Sequence, residues 1–211
     1  YNALTANTSG SKNTASGNYA LTANNTGSYN TANGWGALAS NTSASGNTAS
    51  GWQALYQNST GGYNTAIGSS SLQANGGGHS NVGIGHQTLY SNTNGASNTA
   101  SGYQALLNNT TASDNTASGQ KALYTNTIGF SNTASGSEAL EANTGGDYNT
   151  ASGADALTAN TTANYSTAIG ANALVDANRT ADTDGYNTAL GYNAGNTGTN
   201  DITTGNLNTL L

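Results

Sequence analysis

Residues 98–106, NTASGYQAL, return seventeen residues later as NTASGQKAL at 115–123, and this spacing governs nearly the whole chain. Asn opens the motif at Asn13, Asn30, Asn47, Asn64, Asn81, Asn98, Asn115, Asn132 and Asn149. Gly recurs from Gly17 through Gly51 and Gly102 to Gly170, and Leu from Leu4 through Leu38, Leu55 and Leu106 to Leu174, each column stepping by 17. A second Asn column, from Asn7 to Asn160, follows each Leu by three residues. Columns held in one register define a tandem unit, N-T-A-x-G-x-x-A-L-x-x-N-T plus four variable residues. Such a repeat limits the fold before any other property does.

A helical hairpin repeat needs roughly twice this length, and N-T-A-S-G is rich in residues that disfavour helix interiors. One coil of a β-solenoid fits: equal positions in successive coils stack about 4.8 Å apart. Stacked Asn amides can then hydrogen-bond along the axis, and the Thr column from Thr14 to Thr133 supplies β-branched strand formers. The Gly column marks a bend, by positive φ or by close approach of a neighbouring backbone. The sequence predicts one strand in N-T-A-x-G, a second in A-L plus a flanking residue, and a turn in the N-T-x-x segment. The fold class is therefore all-β, a parallel β-solenoid of 17-residue coils. About eleven to twelve coils make a rod of about 55 Å.

The interior looks thin, since each coil offers one Leu and about two Ala. Burying a Leu yields roughly 1.5–3 kcal/mol, whereas ordering backbone costs about 1–2 kcal/mol per residue. The expectation is that neighbouring chains share the core, with small Ala and Gly letting three backbones approach one axis. Both ends cut through a repeat, which leads us to expect a segment of a longer fibre.

Charged residues make up 6% of the chain, the net charge is −6, and Pro, Cys and Met are absent. No basic stripe exists for nucleic acid, and no apolar run approaches membrane-spanning length. Leu and Gly columns in strict register argue against low-complexity disorder. No cofactor motif and no general-acid and base pair stands out, because the carboxylates occupy unrelated coil positions. GGGHSNVGIG at 76–85 lacks the Lys-Ser/Thr of a phosphate loop. His79 and His86 read as exposed loop residues.

The units NTAIG at 64–68, NVGIG at 81–85 and STAIGANAL at 166–174 resemble the N-S-x-A-x-G repeats in the heads of YadA-type trimeric autotransporter adhesins. They are also similar to repeats of trimeric phage tail fibres. The likeness spans residues 1–174 and returns at NTALGYNAG, 187–195. It implies a left-handed β-roll, an intertwined homotrimeric rod, and an extracellular place on a bacterial surface or phage virion. The implied partners are the chain itself and a host-cell surface glycan or protein.

After residue 174 the step lengthens: Ser166 to Asn187 and Asn187 to Asn208 are each 21 residues. We therefore divide the chain into regular coils over 1–174 and a longer-looped continuation over 175–211. The loop at 176–186 holds Asp176, Asp182, Asp184 and Arg179. A solvated acidic loop is favoured there over a calcium site, because most of the calcium-ligand series is missing. Trp35, Trp52 and Tyr103 share the position after the Gly and form the candidate contact stripe, able to stack on sugars or to pack between coils. Tyr29, Tyr63, Tyr148, Tyr165 and Tyr186 recur just before the motif Asn, where a ring can cover adjacent backbone.

The function expected is a structural or adhesive fibre segment without catalysis. The alternatives are a self-assembling extracellular filament, an ice-binding solenoid, and a phage-associated polysaccharide-degrading solenoid. Against ice binding, only one Thr per strand is regular. Against the enzyme, no carboxylates cluster at one level of the stack.

Overall fold

The structure, a computed structural model, describes residues 2–176, 185–196 and 209–210. Each repeat is one coil of a parallel β-solenoid and contributes one short strand. In chain order the strands are β1 (Thr14–Ser16), β2 (Thr31–Asn33), β3 (Thr48–Ser50), β4 (Thr65–Ile67), β5 (Val82–Ile84), β6 (Thr99–Ser101), β7 (Thr116–Ser118), β8 (Thr133–Ser135), β9 (Thr150–Ser152), β10 (Thr167–Ile169), β11 (Thr188–Leu190) and β12 (Thr209–Leu210). They form one sheet in which each strand pairs with its sequence neighbours. The register is one coil, so Thr99 faces Thr116, Ala100 faces Ala117 and Ser101 faces Ser118. The longer steps do not interrupt the sheet: Thr167 pairs with Thr188, and Thr188 with Thr209.

The second strand expected at A-L is absent. Leu residues throughout the column take φ between 49° and 54°, the left-handed region. Ala and Leu are adjacent yet both buried, as at Ala105 and Leu106. Neighbouring residues of a strand face opposite sides, so a strand would have left one of them in solvent. A turn solves this. In several coils the N–H after Leu donates to the carbonyl three residues back, as from Tyr124 to Lys121 (3.2 Å) and from Glu141 to Glu138 (3.1 Å). Leu is then the third residue of the turn, where positive φ is required. A left-handed L-residue costs about 1–2 kcal/mol, and complete burial of Leu offsets a similar amount.

The Gly column behaves as expected, and by both mechanisms. Gly102 has φ +130, and a Cβ there would lie 2.5 Å from the carbonyl oxygen of Gly119 in the next coil.

The core closes within a single chain, which alters the argument for a shared one. Leu38, Leu55 and Leu106 are wholly buried, and so are Asn47, Asn98 and Asn115. The interior is part amide. In the column after Leu, Asn75 Nδ2 donates to Asn58 Oδ1 (2.7 Å) and to the Gly78 carbonyl (2.8 Å). In the column that opens the motif, the Asn98 backbone N–H donates to Asn81 Oδ1 (3.0 Å) and its Nδ2 to the Ala112 carbonyl (2.8 Å). Asn115 and Asn47 repeat the pattern on Asn98 and Asn30. The first ladder ends at Asn160, whose buried Oδ1 has no partner among the described residues. Backbone bonds also link coils outside the strands, as from Leu106 N–H to the Ala122 carbonyl (3.0 Å) and from Tyr63 N–H to the Ser45 carbonyl (3.0 Å). Hydrogen bonds around the perimeter supply what the apolar count lacked, each worth about 0.5–1.5 kcal/mol net.

Candidate functional site

Three surfaces carry chemistry beyond the core. The first is the strand face. The middle residue of each strand points inward and its two neighbours point outward, as strand geometry dictates. Ala100, Ala117 and Ala134 are buried, whereas Thr99, Ser101, Thr116, Ser118, Thr133 and Ser135 are exposed. Two ranks therefore run the length of the solenoid from β1 to β11. One is Thr except at Val82; the other is Ser16, Asn33, Ser50, Ile67, Ile84, Ser101, Ser118, Ser135, Ser152, Ile169 and Leu190. None of these outward residues is charged. Ile67, Ile84, Ile169 and Leu190 are exposed by 43% to 50%. The Ala that follows each Thr is turned into the core and so does not interrupt the outward Thr rank.

The second surface is aromatic. Trp35, Trp52 and Tyr103 occupy equal positions but do not make one stripe. Trp35 stacks on Trp52 with ring centroids 5.9 Å apart and planes 14° from parallel. Tyr103 stacks instead on His86 at 5.6 Å and 8°. Ser69 takes the position in the coil between the two pairs. The three candidates are 40%, 51% and 48% exposed. The residues before the motif Asn build a further column: Tyr148 stacks on Tyr165 (5.1 Å) and Tyr165 on Tyr186 (5.0 Å), with Phe130 edge-on to Tyr148. These rings stack on one another and do not simply lie over local backbone. The signal for it was the return of Tyr at one coil position, just before the motif Asn or Ser, across steps of 17 residues (Tyr148 to Tyr165) and 21 residues (Tyr165 to Tyr186).

The third surface is a cavity of about 310 Å³ lined by Tyr19, Thr22, Trp35, Ala39, Ser40 and Tyr56. It exists because one coil departs from the pattern. Gly36 stands where the coils on either side carry Tyr19 and Gln53, and Ala39 where they carry Thr22 and Tyr56. Missing side chains in one coil leave space that the larger neighbours wall. Trp35 forms one end, with Tyr19 packed edge-on against it at 6.0 Å.

His79 and His86 are exposed and seven residues apart. Among the described residues no group of three or more His, Cys, Asp or Glu could hold a metal ion. Of the charged residues of the acidic loop only Asp176 is described; Arg179, Asp182 and Asp184, and with them the calcium reading, lie outside the described residues. Among the described residues no helix is long and apolar enough to cross a membrane. No family model, curated protein or solved structure is significantly similar to the chain.

Proposed function

We propose that this chain is a rigid segment of an extracellular adhesive fibre, in which three copies associate through their strand faces and display their turn-side surfaces outward. The observation that carries the reading is the uncharged face of β1–β11. A chain with few large apolar residues leaves Ile67, Ile84, Ile169 and Leu190 outside its own core, all in one rank. Flat apolar and hydroxyl-bearing surface of this length is the kind that other copies cover, since no charge opposes their approach. Left-handed winding and the number three come from the resemblance to trimeric adhesin heads. On this reading the segment turns over no substrate and sits on a bacterial surface or a phage virion. Light scattering on the purified chain tests it. A mass three times that of the chain, with a rod-like frictional ratio, is the expected result, and a monomer at all concentrations overturns the assembly.

One alternative gains from the same face. A rank of Thr hydroxyls and methyls on a flat sheet, about 4.8 Å apart along the axis, offers a regular template to ordered water. If the chain is a monomer, that face stays bare, and ice binding becomes the better reading. Shaping of ice crystals at their growth front decides it. Crystals that grow unfaceted in the presence of the monomer exclude it.

A further inference from the structure

We infer that the cavity between Tyr19, Trp35 and Tyr56 is a binding site for a neutral pyranose, one or two rings of an oligosaccharide. The inference gives the adhesive part of the reading above a specific site and rests on that part. It does not depend on the number of chains in the fibre.

Within a tandem repeat, a departure from the unit is informative because every other coil serves as its control. Position 36 is glycine although its backbone does not call for one. Its φ of +66 is close to that of Gln53 (53°), Gln87 (55°) and Gln104 (57°) at equal positions. What glycine provides there is clearance for the Tyr56 ring, which forms a wall of the hollow. A Cβ on Gly36 would come within 3.1 Å of the Tyr56 ring. Four coils on, Tyr103 is followed by Gln104 at that position, and the position after Leu106 is held by Leu107. Ala39 removes a second side chain in the same coil. Two truncations and three flanking aromatics converge on one hollow.

Its chemistry selects the guest. No charged residue lines it, so an anion or cation would lose hydration without compensation. The lining residues bring aromatic rings from Tyr19, Trp35 and Tyr56, hydroxyls from Tyr19, Thr22, Ser40 and Tyr56, and the indole N–H of Trp35. Thr22 donates its own hydroxyl proton to the Asn2 carbonyl (2.9 Å) and so presents lone pairs to a guest. A purely apolar guest would leave these hydroxyls and the indole N–H dry, whereas a fully polar one would not match the rings. A pyranose has an apolar C–H face for the rings and equatorial hydroxyls for the rim. The volume, about 310 Å³, is of the size that small-molecule sites have. The cavity also lies beyond the Gly bend, off the strand face, and remains open when copies pack through that face.

The chain carries two tryptophans, Trp35 in the cavity wall and Trp52 stacked on it, so indole fluorescence reports occupancy directly. The experiment titrates the full chain with cellobiose, maltose, lactose and N,N′-diacetylchitobiose. A saturable change in emission with at least one sugar is expected. The variant Gly36→Gln fills the hollow with the residue that equal positions already hold, and weakens that sugar by about tenfold or more. Should that variant fail to fold, Ala39→Thr fills it with a residue found at the same place in the coil, Thr22. No response to any of the four sugars overturns the site. Binding by the filled variant within twofold of the parent also overturns it, and moves the sugar elsewhere on the rod. Light scattering on the same samples reports assembly independently, so failure of the fibre and failure of the site are told apart.

Discussion

At the scale of single residues, the Gly and Asn columns do what no other side chain can. Gly102 holds φ +130 with the next coil's carbonyl where a Cβ would be. Gly102→Ala is expected to cost about 3 kcal/mol or more, from strain and backbone displacement together, read as a lowered midpoint in denaturant. The buried amides fail in a different way. Asn92 Nδ2 donates to Asn75 Oδ1 (2.7 Å) and to the Gly95 carbonyl (3.0 Å). Asn92→Asp would put a carboxylate against two acceptors in a dry interior, which favours the protonated acid and raises its folded pKa above about 3.9. The folded state then holds the proton more tightly than the unfolded one. Stability of the variant should therefore fall as pH rises through the carboxylate range, whereas the parent lacks this added loss. Melting curves from pH 3 to pH 7 check the sign.

At the scale of the strand and turn, the two faces of one element make opposite demands. Ala117 is 1% exposed in the middle of β7, flanked by the outward Thr116 and Ser118. Ala117→Val should cost about 1–3 kcal/mol by overpacking, while Thr116→Lys should change the stability of the coil by no more than about 0.5 kcal/mol. Thr116→Lys should nevertheless reduce the mass of the assembled particle, because it puts charge on the face proposed to meet other copies. Thermal melts and light scattering read the two effects separately. The strand itself was legible in N-T-A-x-G, since β-branched Thr, small Ala and a terminal Gly left few options. The A-L turn was misread as a strand, although its two adjacent buried residues broke strand alternation. The apolar pair looked like sheet because Leu rarely takes positive φ, and only complete burial makes that conformation worthwhile. The aromatic candidates were found by position, but their pairing was not, because it depends on Ser69 interrupting the column. The cavity is not legible in the repeat pattern, because it arises where Gly36 and Ala39 depart from that pattern.

At the scale of the whole molecule, each coil contacts its neighbours and little else, so the chain should behave as a one-dimensional array. Deleting residues 98–114, one whole coil, keeps every column in phase and should leave a folded solenoid with a modestly lowered melting temperature. Deleting 98–113, one residue fewer, shifts Asn, Gly and Leu out of their ladders and should abolish cooperative melting. Circular dichroism on the two shortened chains distinguishes these outcomes. The amide ladder has one more property. In the column from Asn7 to Asn160 each side-chain N–H points to the preceding coil and each oxygen to the following one, as Asn41 does toward Asn24 and Asn58 toward Asn41. The second column leans the same way, with Asn47 and Asn64 donating back to Asn30 and Asn47. Small dipoles added head to tail polarise one another and give a vector. Each amide column thus has a direction of its own, its donors turned to the early coils and its acceptors to the late ones, while backbone bonds such as Leu106 N–H to the Ala122 carbonyl run the other way.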